Sequence, residues 1–267
     1  MRAAVLTAYN SPLRVRELPD PVPGPGEVLV RVMAGGVNPL DIKIRRGEAA
    51  HAQMAPPAVL GIDMAGVVEA IGAGVDRFRV GDEVFGMTGG GAGGVGFLAV
   101  QLAIARGARV YATGSASSQE IIGSTGATPI DYTARTVDDY VGAHTGDEGF
   151  DIVVDNVGGA TLDASFTAVK RYTGHVVSAL GWGTHSLAPL SFRGATYSGV
   201  FTLMPLLSGR DREHHGHIVA QAAALADSGR LVPRLHPSTF PLDAVNDAHA
   251  IRRNRSATGK VVVTPGA

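Results

Sequence analysis

Six residues near the middle of the chain, Gly91-Ala92-Gly93-Gly94-Val95-Gly96, fit the spacing G-x-G-x-x-G and run straight into an apolar stretch, Val95 to Ala105. Those residue types suit one task, holding a pyrophosphate. The first glycine permits a tight turn, the second lets the backbone approach the phosphates, and the third lets a helix pack close to a strand. A helix that opens there turns free N–H groups and a partial positive charge toward the anion. A run of glycines alone would be only a flexible loop. Here an apolar helix with Leu98 and Leu102 four apart follows, then a strand candidate at Arg109-Val110-Tyr111-Ala112, so the reading is dinucleotide binding. About twenty residues on, an NAD-binding fingerprint places an acid for the ribose 2′-hydroxyl. This chain has Thr113-Gly114-Ser115-Ala116-Ser117-Ser118 instead. Hydroxyls bond a 2′-phosphate that a carboxylate would repel, so the expected cofactor is NADPH, although no Arg or Lys shares the loop.

Other chemistry-bearing clusters read as structural. His214, His215 and His217 stand beside Arg210 and Arg212 but lack a paired carboxylate or a second group at ligand spacing, which suits a solvated helix start. Arg252, Arg253 and Arg255 suit a helix end. Asp151 and Asp155 flank an apolar strand and read as strand-end residues, not as an acid/base pair. Cysteine is absent, which excludes disulfides and every thiolate-held metal or cluster. The 267 residues are 45% apolar and 18% charged, enough to bury a sizeable core. A net charge of −1 offers no electrostatic footprint for nucleic acid or an anionic membrane, so a small-molecule partner is expected. Tyr9, Asn10 and Ser11 end the first apolar stretch, and Pro56, Pro57, Asp63 and Glu69 break the most membrane-like window, Ala55 to Val75. The expected location is cytoplasmic.

The elements that must position these residues fall into two styles. Up to Thr88 the chain reads as a β-rich module: a strand at Glu27 to Val32, a polar turn-rich connection from Val37 to Gly47, and a strand from Gly66 to Gly72. From Gly89 it alternates. Strand candidates at Arg109 to Ala112, Thr128 to Asp131, Asp151 to Asp155 and His175 to Ser178 are separated by helical segments, and Ser117-Ser118-Gln119-Glu120 has the spacing of a capping box. Such alternation predicts an α/β fold with a doubly wound parallel sheet. Helices at His217 to Ser228 and Leu242 to Arg252 and a strand at Lys260 to Val263 complete the chain.

Motifs spread over nearly the whole chain carry a resemblance. They are Gly36-Val37-Asn38-Pro39-Leu40-Asp41, Gly61-Ile62-Asp63-Met64-Ala65-Gly66-Val67-Val68, Gly81-Asp82-Glu83-Val84-Phe85-Gly86, the glycine loop, Asp155-Asn156-Val157-Gly158-Gly159, and Tyr197-Ser198-Gly199-Val200-Phe201. In this order they resemble the medium-chain dehydrogenase/reductase superfamily, in its zinc-free quinone oxidoreductase, zeta-crystallin-like branch. The resemblance implies a truncated GroES-like β-barrel module at residues 1–88, a Rossmann domain at 89–235, and a C-terminal segment, about 236–267, returning to the first module. It also implies NADPH-dependent hydride transfer to a quinone or an α,β-unsaturated carbonyl, the alternative being a non-catalytic NADPH-binding remnant. Asn38 is then the catalytic candidate, near the nicotinamide ribose. Ala92, Gly93, Gly94, Val95 and Gly96 cradle the pyrophosphate, and Ser115 and Tyr132 lie on the adenosine phosphate side. Asn156, Val157, Leu180, Gly181 and Phe201 line the nicotinamide half, with Arg255 on the phosphate side. Zinc-dependent relatives have Cys and His where this chain has Asn38 and Ile62, and neither replacement holds Zn²⁺ as those do. No metal is expected. Lys43 stands where some relatives carry Tyr near the substrate, and reads as a surface lysine.

One departure is large. In the family several dozen residues separate the Val84-Phe85-Gly86 motif from the glycine loop, and here Met87-Thr88-Gly89-Gly90 joins them. That block would complete the barrel and provide the strand that launches the phosphate loop. The expectation is that residues 83–88 take over as that strand, pairing in parallel with the Arg109 strand. Lost strands leave edges and apolar faces open, so a homodimer is expected.

Overall fold

The computed structural model describes residues 1–87, 95–254 and 256–266. The chain divides into two compact units, one formed by residues 1–94, 202–223 and 233–267 and the other by 95–201 and 224–232.

In the first unit, β1 (Arg2–Leu6) pairs antiparallel with β2 (Arg14–Glu17). The strand β3 (Val28–Gly36) leads into helix α1 (Pro39–Arg46), and the short β4 (Ala58–Val59) pairs with the other edge of β1. Next come β5 (Asp63–Ile71) and β6 (Glu83–Met87). β1 is buried from Ala3 to Leu6 and, with Leu13, Leu40, Ile44, Ile62 and Val68, contributes to the core of this unit.

In the second unit, helix α2 (Val95–Ala105) precedes β7 (Tyr111–Gly114), α3 (Gln119–Gly123), β8 (Thr128–Asp131) and α4 (Val137–Thr145). They are followed by β9 (Ile152–Asp155), α5 (Ala160–Ala168), β10 (His175–Ser178), α6 (Ala188–Arg193) and β11 (Thr196–Gly199). The chain continues through α7 (Met204–Ser208), α8 (Arg212–Asp227), β12 (Leu235–Pro241), α9 (Val245–Arg253) and β13 (Lys260–Thr264), of which α7, β12, α9 and β13 belong to the first unit. The last two strands complete a five-stranded sheet in the first unit, in the order β12-β13-β3-β5-β6.

The strands of the second unit are all parallel, which makes the chain an α/β protein with Rossmann-like sheets. They form two separate ladders, β7-β8 and β11-β10-β9. A doubly wound sheet runs in the order 3-2-1-4-5-6. Among the described residues no strand stands between the two pieces, so β7 and β9 each keep one unpaired edge. Two observations go with these open edges. Helix α2 is apolar almost throughout, yet none of its residues is buried, although a helix hydrophobic on all sides belongs in a core. On β9, Ile152 and Val154 are 67% and 51% exposed. A compact core survives on the other side, where Leu162, Phe166, Val169, Val176 and Leu190 pack together against Val153 and Ala195.

Three expectations are corrected. Residues 83–87 do not join the parallel sheet; β6 pairs antiparallel with β5, from Asp63↔Met87 to Val67↔Glu83. A local antiparallel return closes a shorter loop than a crossover to a distant parallel edge, so its entropic cost is lower. Residues 39–46, read as a turn-rich connection, are the helix α1: Asn38 and Asp41 form a reciprocal capping box, Pro39 opens the first turn, and Gly47 closes the helix in the left-handed region. Ser117 and Glu120 form no capping box. The hydroxyls of Ser117 and Ser118 lie instead within hydrogen-bond distance of Ser115 Oγ, at 3.1 and 3.3 Å.

Candidate functional site

Parallel strands present their carboxyl ends, with the loops that follow, on one rim, which is where ligands bind in open α/β sheets. The second unit carries two such rims. After β9 come Asn156 and Val157, after β10 Leu180 and Gly181, and after β11 Phe201. The turn after β9 is organised by Asp155, which is buried and was read from sequence as a plain strand-end residue. Its carboxylate accepts the N–H groups of Val157 and Gly158 and the hydroxyl of Ser178 on β10, the last at 2.6 Å. Ser178 Oγ in turn accepts the N–H of Leu180. One carboxylate and one hydroxyl thus tie together the loops that carry four of the predicted cofactor residues. Gly158, at φ +75°, packs so closely that a Cβ there would stand 2.2 Å from the Leu180 carbonyl oxygen. Phe201 meets Trp182 edge to face with ring centroids 5.5 Å apart.

Val95 and Gly96 open α2, and a Cβ on Gly96 would lie 3.9 Å from the Asn156 amide nitrogen, so the helix start and the β9 rim adjoin. The other rim holds Ser115 and Tyr132, directly after the paired ends of β7 and β8, with the Tyr132 N–H donated to the Gly114 carbonyl. Ser115, Ser117 and Ser118 gather their hydroxyls there, and Gln119 fixes the loop by donating to the carbonyls of Gly114 and Ser115. Asp131 ends the neighbouring strand but directs a carboxylate oxygen at the N–H and hydroxyl of Thr133. The cluster therefore offers several hydroxyl donors to a phosphate. Ala92, Gly93, Gly94 and Arg255 lie outside the described residues.

The first unit holds a second polar cluster, assembled from three chain segments. Asn38 is 0% exposed. Its side-chain oxygen accepts from Leu40 N–H and its amide nitrogen donates to Asp63 at 2.9 Å. Asn38, the catalytic candidate of the sequence reading, thus has a protein partner at each end of its amide. The Lys260 ammonium, brought in at the start of β13, pairs with the same Asp63 oxygen; both side chains are 24% exposed. Gly36 makes room for it: a Cβ at that position would stand 2.2 Å from Lys260 Cε and 3.2 Å from Asp63 Cβ. Asp41, behind Asn38, is buried, and burial, reinforced by the negative charge of Asp63, pushes its carboxyl up to about 7 against the pull of the Asn38 N–H it accepts. Lys43 is exposed on α1. Sequence reasoning missed Lys260, Asp63 and Gly36 as a group, because nothing local links a C-terminal strand to residues near the start of the chain.

This donor set does not fit zinc. The buried Ile62 side chain offers no lone pair, Asn38 has spent its amide oxygen on Leu40, and an ammonium already pairs with the Asp63 carboxylate. Among the described residues no group of three or more His, Asp or Glu could hold a metal elsewhere.

Comparison with known proteins places the chain. Residues 24–127 match the alcohol dehydrogenase GroES-like domain and residues 125–263 the zinc-binding dehydrogenase family. The crystal structure of an alcohol dehydrogenase superfamily protein from Novosphingobium aromaticivorans superposes with a TM-score of 0.95 at 44% identity, covering 100% of both chains. A quinone oxidoreductase of Sus scrofa is 26% identical over 91% of this chain and 90% of its own length. The chloroplastic NADPH-dependent alkenal/one oxidoreductase of Arabidopsis thaliana is 26% identical over 90% of this chain and 72% of its own. The alignment with the Sus scrofa protein runs over 308 positions, more than the 267 residues of this chain, so that relative carries segments without a counterpart here. The chain therefore belongs to the medium-chain dehydrogenase/reductase superfamily, with a GroES-like domain and a dehydrogenase domain of the alcohol dehydrogenase type.

Proposed function

We propose that this protein transfers hydride from NADPH to a quinone or an α,β-unsaturated carbonyl without a metal. The observation that carries the reading is the rim of the second unit, where Asp155 and Ser178 hold the loops bearing Asn156, Val157, Leu180 and Gly181 at the carboxyl ends of adjacent parallel strands. The names of the quinone and alkenal/one oxidoreductases similar to it support the substrate class.

NADPH, when bound, supplies the hydride; the protein binds, orients and balances charge. Ala92 to Val95 and the start of α2 hold the pyrophosphate, with Arg255 on the phosphate side. Ser115, Ser117 and Ser118 donate to the 2′-phosphate, and Tyr132 flanks the adenosine side. Asn156, Val157, Leu180, Gly181 and Phe201 shape the nicotinamide half. As hydride reaches the acceptor, negative charge develops on its oxygen, and a hydrogen-bond donor positioned there stabilises that charge. Within the first unit, Asn38 fixes Asp63, which holds the Lys260 ammonium. A deletion between Met87 and the glycine loop, exposed apolar surface that drives homodimer formation, and a cytoplasmic location complete the reading. Among the described residues no helix is long and apolar enough to cross a membrane.

A second reading, NADPH binding without turnover, is favoured by one observation, the edges of β7 and β9 that have no partner strand among the described residues. Loss of NADPH absorbance on adding p-benzoquinone, set against NADPH binding followed by fluorescence, separates the two. Oxidation supports the reductase; binding without oxidation of any quinone or enone refutes it.

A further inference from the structure

A cavity of about 90 Å³ lies within the first unit, lined by Asn10, Ile42, Arg45, Arg46, His249 and Arg253. Its polar lining is cationic or neutral. Basic residues in the last turns of α1 and α9 complement the helix dipoles, and that accounts for each set alone. It does not account for bringing them together around a void. Arg45 is half-buried, donating its Nε to the Ser11 carbonyl at 2.8 Å, and its guanidinium is held below its usual range by burial and then by the like charge of Arg253. Among the described residues no carboxylate lines the cavity; the acid paired with Arg46 is Glu48, at 3.8 Å. His249 is 5% exposed, and its buried Nδ1 has no hydrogen-bond partner among the described residues. Burial, then the charge of Arg45, push the imidazole down to about 4, so it is neutral at physiological pH.

Converging like charges and an unsatisfied buried nitrogen both cost free energy, and one ligand chemistry relieves both. Guanidinium groups bond tetrahedral oxyanions in forked geometry, and a neutral imidazole nitrogen exchanges a hydrogen bond with the same group. The void has room for several waters, so a phosphate group fits, whereas drug-sized ligands occupy roughly 300–1,000 Å³. We propose that this cavity is a binding site for a compact phosphate oxyanion, free or carried on a small ester, formed by Arg45, Arg46, Arg253 and His249. It is independent of the proposed reductase chemistry.

The test is titration calorimetry of the full chain with inorganic phosphate, against chloride at matched ionic strength. Saturable binding is expected, weakened about tenfold in Arg253→Gln, which removes one charge-assisted contact from an exposed position. In parallel, the His249 imidazole nitrogen resonances of the wild type should move with phosphate occupancy, a readout that needs no variant. Glycerol phosphate and vesicles containing phosphatidic acid distinguish a soluble ester from a lipid headgroup; binding of either that Arg253→Gln weakens supports the site. Absence of saturable binding, equal affinity in the folded variant, or His249 resonances that stay fixed overturns it.

Discussion

Two buried groups of the first unit link stability to pH in opposite directions. Asp41 keeps its proton up to about 7 when folded, against 3.8 for the ordinary carboxyl, so in that window the folded chain binds the extra proton. Raising the pH across the window therefore removes stability, by about 4 kcal/mol in full. His249 stays neutral down to about 4 when folded, against an ordinary 6.5, so here the unfolded chain binds the extra proton. Lowering the pH from 6.5 to 4 therefore removes stability, by about 3 kcal/mol. Between pH 4 and 6.5 the two slopes nearly cancel, and single substitutions unmask them. In Asp41→Asn, which keeps a side-chain oxygen for the Asn38 N–H, the urea midpoint should fall as pH drops from 6.5 to 4. In His249→Gln it should rise as pH drops from 7 to 4. The quantity read is the change of midpoint with pH, relative to wild type, which loss of packing alone does not alter. The reasoning fails if Asp41→Asn and wild type have the same slope, or if the Asp41 carboxyl carbon titrates near 4 by NMR.

Lys260→Met leaves the Asp63 carboxylate without its cationic partner and should lower the urea midpoint, and Lys260→Arg should restore part of it; an unchanged midpoint in the methionine variant would show that the pair adds nothing to stability. Ser115→Asp places a carboxylate in the hydroxyl cluster and should weaken NADPH binding at least about tenfold relative to NADH, measured by fluorescence titration of both. Asp155→Ala strands the N–H groups of Val157 and Gly158 and the Ser178 hydroxyl, at a cost of about 3 kcal/mol by chemical denaturation, and should loosen NADPH as well. Light scattering should show self-association that grows with concentration, driven by the open edges of β7 and β9; a monodisperse monomer would count against it.

Much of the fold was legible because its signals are local. The alternation of strand and helix after Gly89 rests on periodicity, and Thr128 to Asp131 and His175 to Ser178 form strands with the expected bounds. The helix at 39–46 carries local signals too, in Asn38, Pro39 and Asp41, but the same residue types build turns, so local sequence alone does not separate the two. The loops after β9, β10 and β11 follow from strand ends, whereas Asp155 as their organiser did not, since its partners Val157 and Ser178 lie on its own loop and on the neighbouring strand.

By itself, the sequence determined the class of the protein, the phosphate-loop pattern and the absence of thiolate chemistry. Only the tertiary structure decided that residues 83–87 close an antiparallel sheet, that Lys260 reaches Asp63 over Gly36, and that the arginines of α1 and α9 surround one cavity. The division has a physical origin. Caps, turns and periodic faces are settled by neighbours within a few residues, but which distant strand or charge becomes a partner depends on competition among loop closures, registers and burial across the whole chain.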